Sequence, residues 1–289
     1  MTVKGLTLIG ETINASIPST EALFEEGDMD GIRERAAMQD TLGADYIDVN
    51  VGRRPPEFMA EVIVQVQCAT TKPLSVDTPD PATAEAGLRA YDPYKAAGQK
   101  PILNSVSPLR LEMLDLHKLK PFRPMLMISE RSDAGDSRPN ETAAETHETA
   151  VEMLEQVRRR APSIGNGDCI FDPGIASIGG DLDGSTNRLL EALRLIQQDT
   201  TLAGVHVSVG LSNFTTMLPS KCADGSPVKS RLESAFLTEA MPLGLDTVIG
   251  SVKRKYELLP EDDRAMVCLR DVLALQGPER LRRLMEFYS

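Results

Sequence analysis

Short runs of β-branched and aliphatic residues alternate along this chain with longer stretches whose apolar positions recur every three or four residues. The short runs predict strands near Leu6–Glu11, Tyr46–Val51, Leu74–Asp77, Ile102–Val106, Met125–Ser129, Cys169–Asp172, Val205–Gly210 and Thr247–Ser251. The longer ones predict helices over Met29–Leu42, Glu57–Ala69, Pro81–Tyr91, Pro108–Leu116, Glu141–Arg160, Thr186–Gln198, Lys229–Met241 and Glu261–Leu275. A further short helix is expected over Pro278–Tyr288. Eight strands alternating with eight helices imply a parallel sheet. In 289 residues the economical way to finish such a sheet is an α/β fold closed as a (β/α)8 TIM barrel, one domain spanning 1–289. An open doubly wound sheet is the alternative, but no GxGxxG follows the first strand, so its dinucleotide-binding version lacks its main support. Asp80-Pro81 and Ser107-Pro108 each offer an N-cap followed by proline at the first helical position, and Gly43 and Gly277 read as helix stops.

The strands of such a barrel are covered on both faces and should be apolar throughout. Here most of them end in a carboxylate or an amide. The first ends at Glu11 with Asn14 just beyond, the second carries Asp48 and Asn50, the third ends at Asp77 and the fourth reaches Asn104. The fifth runs to Glu130, the sixth to Asp172, and the seventh into Ser212 and Asn213. Any one of these could simply cap a helix or open a turn. Six or seven together point to one polar mouth, because buried polar groups need partners and catalytic groups sit at that end of a barrel. Asp48 has the strongest claim to a bracing role; the alternation of Ile47-Asp48-Val49-Asn50 puts it on the same side as Asn50. Two long loops, Glu130–Asn140 and Pro173–Ser185, follow strands and so belong to the same rim, where long loops usually serve a site.

Charge narrows the partners. Lys and Arg total 31 against 43 Asp and Glu, a net charge of −12, which repels phosphate backbones and argues against nucleic acid. The basic stretch Lys253 to Lys255 reads as a solvated helix face. No apolar run approaches the length of a membrane span, and Met1 to Gly10 has no signal-peptide pattern, so a cytoplasmic protein without membrane contact is expected. Cys68, Cys169, Cys222 and Cys268 form no CxxC pair and read as incidental thiols in a reducing compartment.

A mouth rich in acceptors and amides but poor in bases suits a flat heterocycle with N–H donors along one edge. A pterin fits: a carboxylate can accept from its pyrimidine edge, and its carbonyl and ring nitrogens suit Asn. Phosphate cradles want glycine-rich loops and basic residues at helix starts, and GxxxxGK[ST] is absent. Composition leaves the choice between a pterin and another heterocycle open.

The ordered motifs say more. Gly10-Glu11-Thr12-Ile13-Asn14, Asp48-Val49-Asn50-Val51-Gly52, Ser75-Val76-Asp77-Thr78, Asn104-Ser105, Asp172-Pro173 and Gly210-Leu211-Ser212-Asn213 fall at successive strands. From the first strand to the eighth the chain resembles the methyltetrahydrofolate:corrinoid protein methyltransferases, whose pterin-binding barrel also occurs in cobalamin-dependent methionine synthase. The resemblance implies an enzyme that moves a methyl group between N5 of tetrahydrofolate and a corrinoid. It gives Asp77, Asn104 and Asp172 as ligands of the pterin edge and Asn213 as the catalytic residue beside N5. Glu11, Asn14, Asp48 and Ser212 match motif positions and are given as further pterin-binding residues. It also implies tetrahydrofolate or 5-methyltetrahydrofolate as substrate, cobalamin brought by a separate corrinoid protein, and a homodimer. The loops Ser129–Pro139 and the one after Pro173 depart from the better-known acetogenic members, and that departure favours tetrahydrofolate as the methyl acceptor.

Three absences bear on rivals. His117, His147 and His206 are the only histidines and none pairs with cysteine at ligand spacing, so no zinc is expected. Asp115-Leu116-His117-Lys118-Leu119-Lys120 lacks the glycine of a cobalamin-binding DxHxxG, so His117 reads as a surface residue and the corrinoid as a visitor. Dihydropteroate synthase shares barrel and pterin pocket, but it expels pyrophosphate and places lysine and basic groups near the seventh and eighth strands. Here Lys221 stands beyond a Ser212-Asn213-Phe214-Thr215 pattern that suits the methyltransferases. A folate-binding protein without turnover is the remaining alternative.

Overall fold

Aliphatic runs too short for helices and apolar on both faces can be buried only inside a covered sheet. The computed structural model, which describes residues 3–133 and 135–289, closes them into a barrel of eight parallel strands. In chain order the elements are β1 (Thr7–Asn14), α1 (Pro18–Glu26), α2 (Met29–Thr41), β2 (Tyr46–Asn50), α3 (Pro56–Val66), β3 (Leu74–Asp77), α4 (Pro81–Ala90) and β4 (Ile102–Val106). There follow β5 (Arg123–Met127), β6 (Glu130–Asp133), β7 (Asp136–Pro139), α5 (Ala143–Arg160), β8 (Ile170–Asp172) and α6 (Ser185–Gln198). The chain ends with β9 (His206–Gly210), α7 (Leu211–Phe214), α8 (Lys229–Ala240), β10 (Thr247–Gly250), α9 (Arg264–Ala274) and α10 (Pro278–Tyr288). Round the barrel the order is β1-β10-β9-β8-β5-β4-β3-β2, and β6 and β7 form a separate antiparallel hairpin.

The barrel interior is plugged by Ile9, Tyr46, Ile102, Met125 and Ile170 with Ile249 against them, a packed layer from six strands and not a pore. A much larger apolar shell lies between strands and helices. The plug forces any ligand to the carboxyl ends of the strands.

Four details depart from the sequence pattern. The stretch Glu130–Asn140 is a hairpin, not an irregular loop; apart from Pro139 its strands carry only polar or charged side chains and leave no apolar face for periodicity to reveal. Arg131 pairs with Glu145, which also closes a capping box with Thr142 at the start of α5. The helix expected over Pro108–Leu116 is a run of 3-10 turns over Leu111–Lys118, because Ser107-Pro108 opens a tight turn closed by the Arg110 N–H on the Ser107 carbonyl at 2.9 Å. His117, within it, is half-buried, edge-on to Phe122 at 5.3 Å, instead of standing in open solvent. Lys253 to Lys255 lies in a turn after β10 instead of on a helix, and its middle residue, Arg254, points inward.

Asp80 caps α4 as expected, accepting from the Thr83 N–H at 2.8 Å. The four cysteines are free. Among the described residues no helix is long and apolar enough to cross a membrane.

The tail helix α10 is anchored through charge. Arg280, 3% exposed, reaches Asp181 at 3.0 Å and Asn187 at 2.9 Å, while Asp181 also accepts from the backbone N–H groups of Ser185 and Thr186 that open α6. Removing one partner of a buried pair leaves the other charge uncompensated. Arg280→Ala is therefore expected to lower stability by about 3–5 kcal/mol, read as a lower urea midpoint with an unchanged slope.

Candidate active site

The barrel mouth holds a cavity of about 450 Å³, within the size of small-ligand sites. Glu11, Asn14, Asp48, Asp77, Asn104, Asp172 and Asn213 all line it, so the structure brings seven of the eight sequence candidates to one place. Ser212 stands behind the wall, donating its hydroxyl to Glu11 Oε1 at 2.6 Å. Ile249, from the plug, forms part of the floor.

Two irregularities in the strands make this convergence possible. Along a regular strand, residues three apart face opposite sides. The β1–β2 register slips by one residue between Gly10 and Ile13, and this bulge lets Glu11 and Asn14 both face the cavity. A second slip, between Asn104 and Val106 against β5, brings Asn104 and Ser105 to it together.

Four carboxyl groups share this wall, and among the described residues no lysine or arginine lines it. Their partners are neutral. Asn50 donates to Asp77 Oδ2 at 2.8 Å, with its own oxygen held by the Gly52 N–H at 2.9 Å. The Gly174 N–H donates to Asp172 Oδ1 at 2.8 Å. Asn104 donates a longer bond, 3.4 Å, to Asp48 Oδ1. With burial and no cation in contact, the neutral form of each carboxyl is favoured. Burial and then the neighbouring charge of Asp77 hold the Asp48 carboxyl well above the usual range, burial raises Asp77, and burial pushes Asp172 up to about 6. Glu11 is also raised by burial.

Asp48, 1% exposed, combines the bracing role expected of it with a place on the cavity wall. Asn213 is exposed at the rim, on the one-turn helix α7, and among the described residues no protein group hydrogen-bonds its side-chain amide. Its orientation depends on Gly210, where an added Cβ would lie 2.9 Å from Asn213 Nδ2. Sequence reasoning noted Asn50 without assigning it to the site, and it missed Ser16, Ile17, Ser105, Met127, Ile175 and Gly210 as lining residues. Most of these are small or apolar, and only their neighbourhood to the motifs could have marked them.

The family model for pterin binding enzymes matches residues 11–250, from the first cavity carboxylate to the end of the last strand. The chain belongs to the pterin-binding enzyme family. It is 27% identical over 250 residues to the methylcorrinoid:tetrahydrofolate methyltransferase of Eubacterium limosum, with 84% of each chain covered. Its barrel resembles solved dihydropteroate synthases. One from Xanthomonas albilineans, bound to 4-aminobenzoic acid, has a TM-score of 0.57 at 21% identity over 93% of this chain and 90% of that one. One from Thermus thermophilus has a TM-score of 0.54 at 22% identity, over 93% of this chain and 91% of that one. At those identities the likeness is one of fold, and it places this pterin-binding enzyme among (β/α)8 barrels.

Two outcomes follow from the site. The unfolded Asp172 carboxyl titrates near about 3.9, and the folded one at about 6. Between those values the folded chain keeps a proton the unfolded chain has lost, so stability falls as pH rises through that window. Asp172→Asn should flatten that part of the stability profile, measured as urea midpoints at steps from pH 4 to 7. Gly210→Ala, which its backbone φ of −72° allows, should displace the Asn213 amide without unfolding the barrel. Its thermal midpoint should stay within a few degrees of the parent, with the loss confined to pterin-dependent activity.

Proposed function

We propose that this pterin-binding enzyme transfers a methyl group between N5 of tetrahydrofolate and the corrinoid of a separate carrier protein, acting in the direction of tetrahydrofolate. The observation that carries the reading is the cavity wall of four carboxyl groups and three Asn amides with no cation among the described lining residues. A pterin presents N–H donors to such carboxyls and can replace the protons they would otherwise retain. In this reading Asp172 and Asp77 accept from the pyrimidine edge and Asn104 serves its carbonyl and ring nitrogens. Asn50 and the Gly174 N–H hold the two carboxylates in place. The 27% identity to a protein named for methylcorrinoid and tetrahydrofolate supports the same chemistry.

N5 of tetrahydrofolate is a secondary amine. Its lone pair forms the bond to the methyl carbon, the cobalt–carbon bond breaks with both electrons left on cobalt, and the N5 proton passes to water at the open mouth. The task left to the protein is to hold the ring and to handle that proton. Asn213 offers both a donor and an acceptor on a side chain that no other protein group engages among the described residues, so it can accept from N5–H before transfer and donate to the nitrogen in the reverse reaction.

Pyrophosphate-releasing pterin chemistry, the reaction of dihydropteroate synthase, requires cations at the same mouth. Lys221 is exposed on a turn bridged to Pro227 and does not line the cavity, which argues against that alternative.

Mixing the protein with methylcobalamin and tetrahydrofolate tests the reading: the cobalamin spectrum should report demethylation while 5-methyltetrahydrofolate accumulates. Formation of dihydropteroate from pterin pyrophosphate and p-aminobenzoate, with no methyl transfer, would overturn it. Asn213→Ala is expected to lower kcat by about 10²–10³ with pterin affinity changed only severalfold. Asp172→Asn should instead weaken tetrahydrofolate binding by about ten- to hundredfold, seen by calorimetry.

A further inference from the structure

The second concentration of buried charge lies just behind the cavity. Glu233 sits in the middle of α8 among Leu232, Ala235, Phe236 and Leu237, with no exposed surface. One of its oxygens accepts from the Thr215 hydroxyl and the Arg254 guanidinium. The other has no partner among the described residues. Packing alone would be served by an apolar side chain there, since a buried ion pair gives little net stability over one.

Its partners connect it to Asn213. Thr215 follows α7 directly, and Ser212, within α7, donates to Glu11. The residues flanking Asn213 are thus tied to two carboxyl groups, Ser212 to Glu11 on the cavity wall and Thr215 to Glu233 behind it. Arg254 comes from the turn after β10, bonds Glu233, and lies within the field of Glu11. One guanidinium therefore bonds Glu233 directly and acts on Glu11 only through space.

We propose that Glu233 and Arg254 are positioning residues that fix the Asn213 turn through Thr215 and, by dividing the Arg254 charge, set when the cavity carboxyl of Glu11 ionises. The inference rests on Asn213 being the residue beside N5. The charged and titratable groups facing this pair are Glu11 from β1, Lys229 from α8, and Arg254 and Tyr256 from the segment after β10. Burial raises Glu11, and burial pushes Glu233 up to about 7. The Tyr256 hydroxyl is pushed well above the ordinary phenol range by burial and stays neutral throughout.

The test follows kcat, KM and the dissociation constant of tetrahydrofolate against pH, with methylcobalamin as methyl donor, for the full chain and its variants. The limb that belongs to Glu11 is the one missing from Glu11→Gln. In Glu233→Gln the Arg254 charge falls to Glu11 alone, and that limb should move down by about one pH unit. In Arg254→Met it should move up, and Arg254→Lys should return it towards the parent. Thr215→Val cuts the tether and keeps the charges, so it should lower kcat about tenfold with KM and the limb unmoved. Folded Glu233→Gln and Arg254→Met proteins whose limbs do not move, or that both shift the same way, would reduce the pair to a structural role. The pair is likewise reduced to that role if Glu11→Gln removes no limb. Should the parent bind tetrahydrofolate but fail to demethylate methylcobalamin, the proposed reaction fails while the binding limb still decides the pair. If tetrahydrofolate does not bind, both fall.

Discussion

Carboxyl groups with no cation in direct contact govern this site. Glu11, Asp48, Asp77 and Asp172 share one cavity over an apolar floor, and each is served by a neutral donor or by a neighbour's proton. Ionised carboxylates are unfavourable away from water, so such a wall stays partly protonated until donors arrive. A neutral ring with several N–H groups satisfies it. A phosphate or pyrophosphate would add negative charge to a place that already holds too much.

The barrel makes this tolerable by separating stability from chemistry. The plug of Ile9, Tyr46, Ile102, Met125, Ile170 and Ile249 and the surrounding apolar shell hold the fold together below the mouth. The polar ends of the strands are then free to be arranged for a ligand. The two register slips belong to this division. Each spoils one step of the ladder, and each adds a second polar side chain from the same strand to the cavity.

How much of this could be read from the chain depended on what each residue had to satisfy. Strand ends such as Asp77, Asn104 and Asp172 were legible because a carboxylate or amide closing an aliphatic run demands an explanation. Helix α1 left little mark on the pattern although Pro18 stands in its first turn and Gly27, with φ 66°, ends it; its apolar stripe is weak. The Glu130–Pro139 hairpin was invisible to periodicity because both of its faces are polar. Glu233 and Arg254 were hidden for a different reason: a charged residue in an amphipathic helix or in a basic run looks solvated until the fold shows what lies against it. Buried ion pairs are fixed by tertiary proximity, which no local pattern encodes.

The hairpin carries one more implication. It is rooted at its base, where Arg131 meets Glu145 and Asn140 bonds the Ile128 carbonyl and Thr149, while its strands from Ser132 to Pro139 lie in solvent wherever described. None of its described residues contributes to the cavity. The rim is therefore modular: the hairpin can lengthen, shrink or change its charge while the cavity beneath keeps its form.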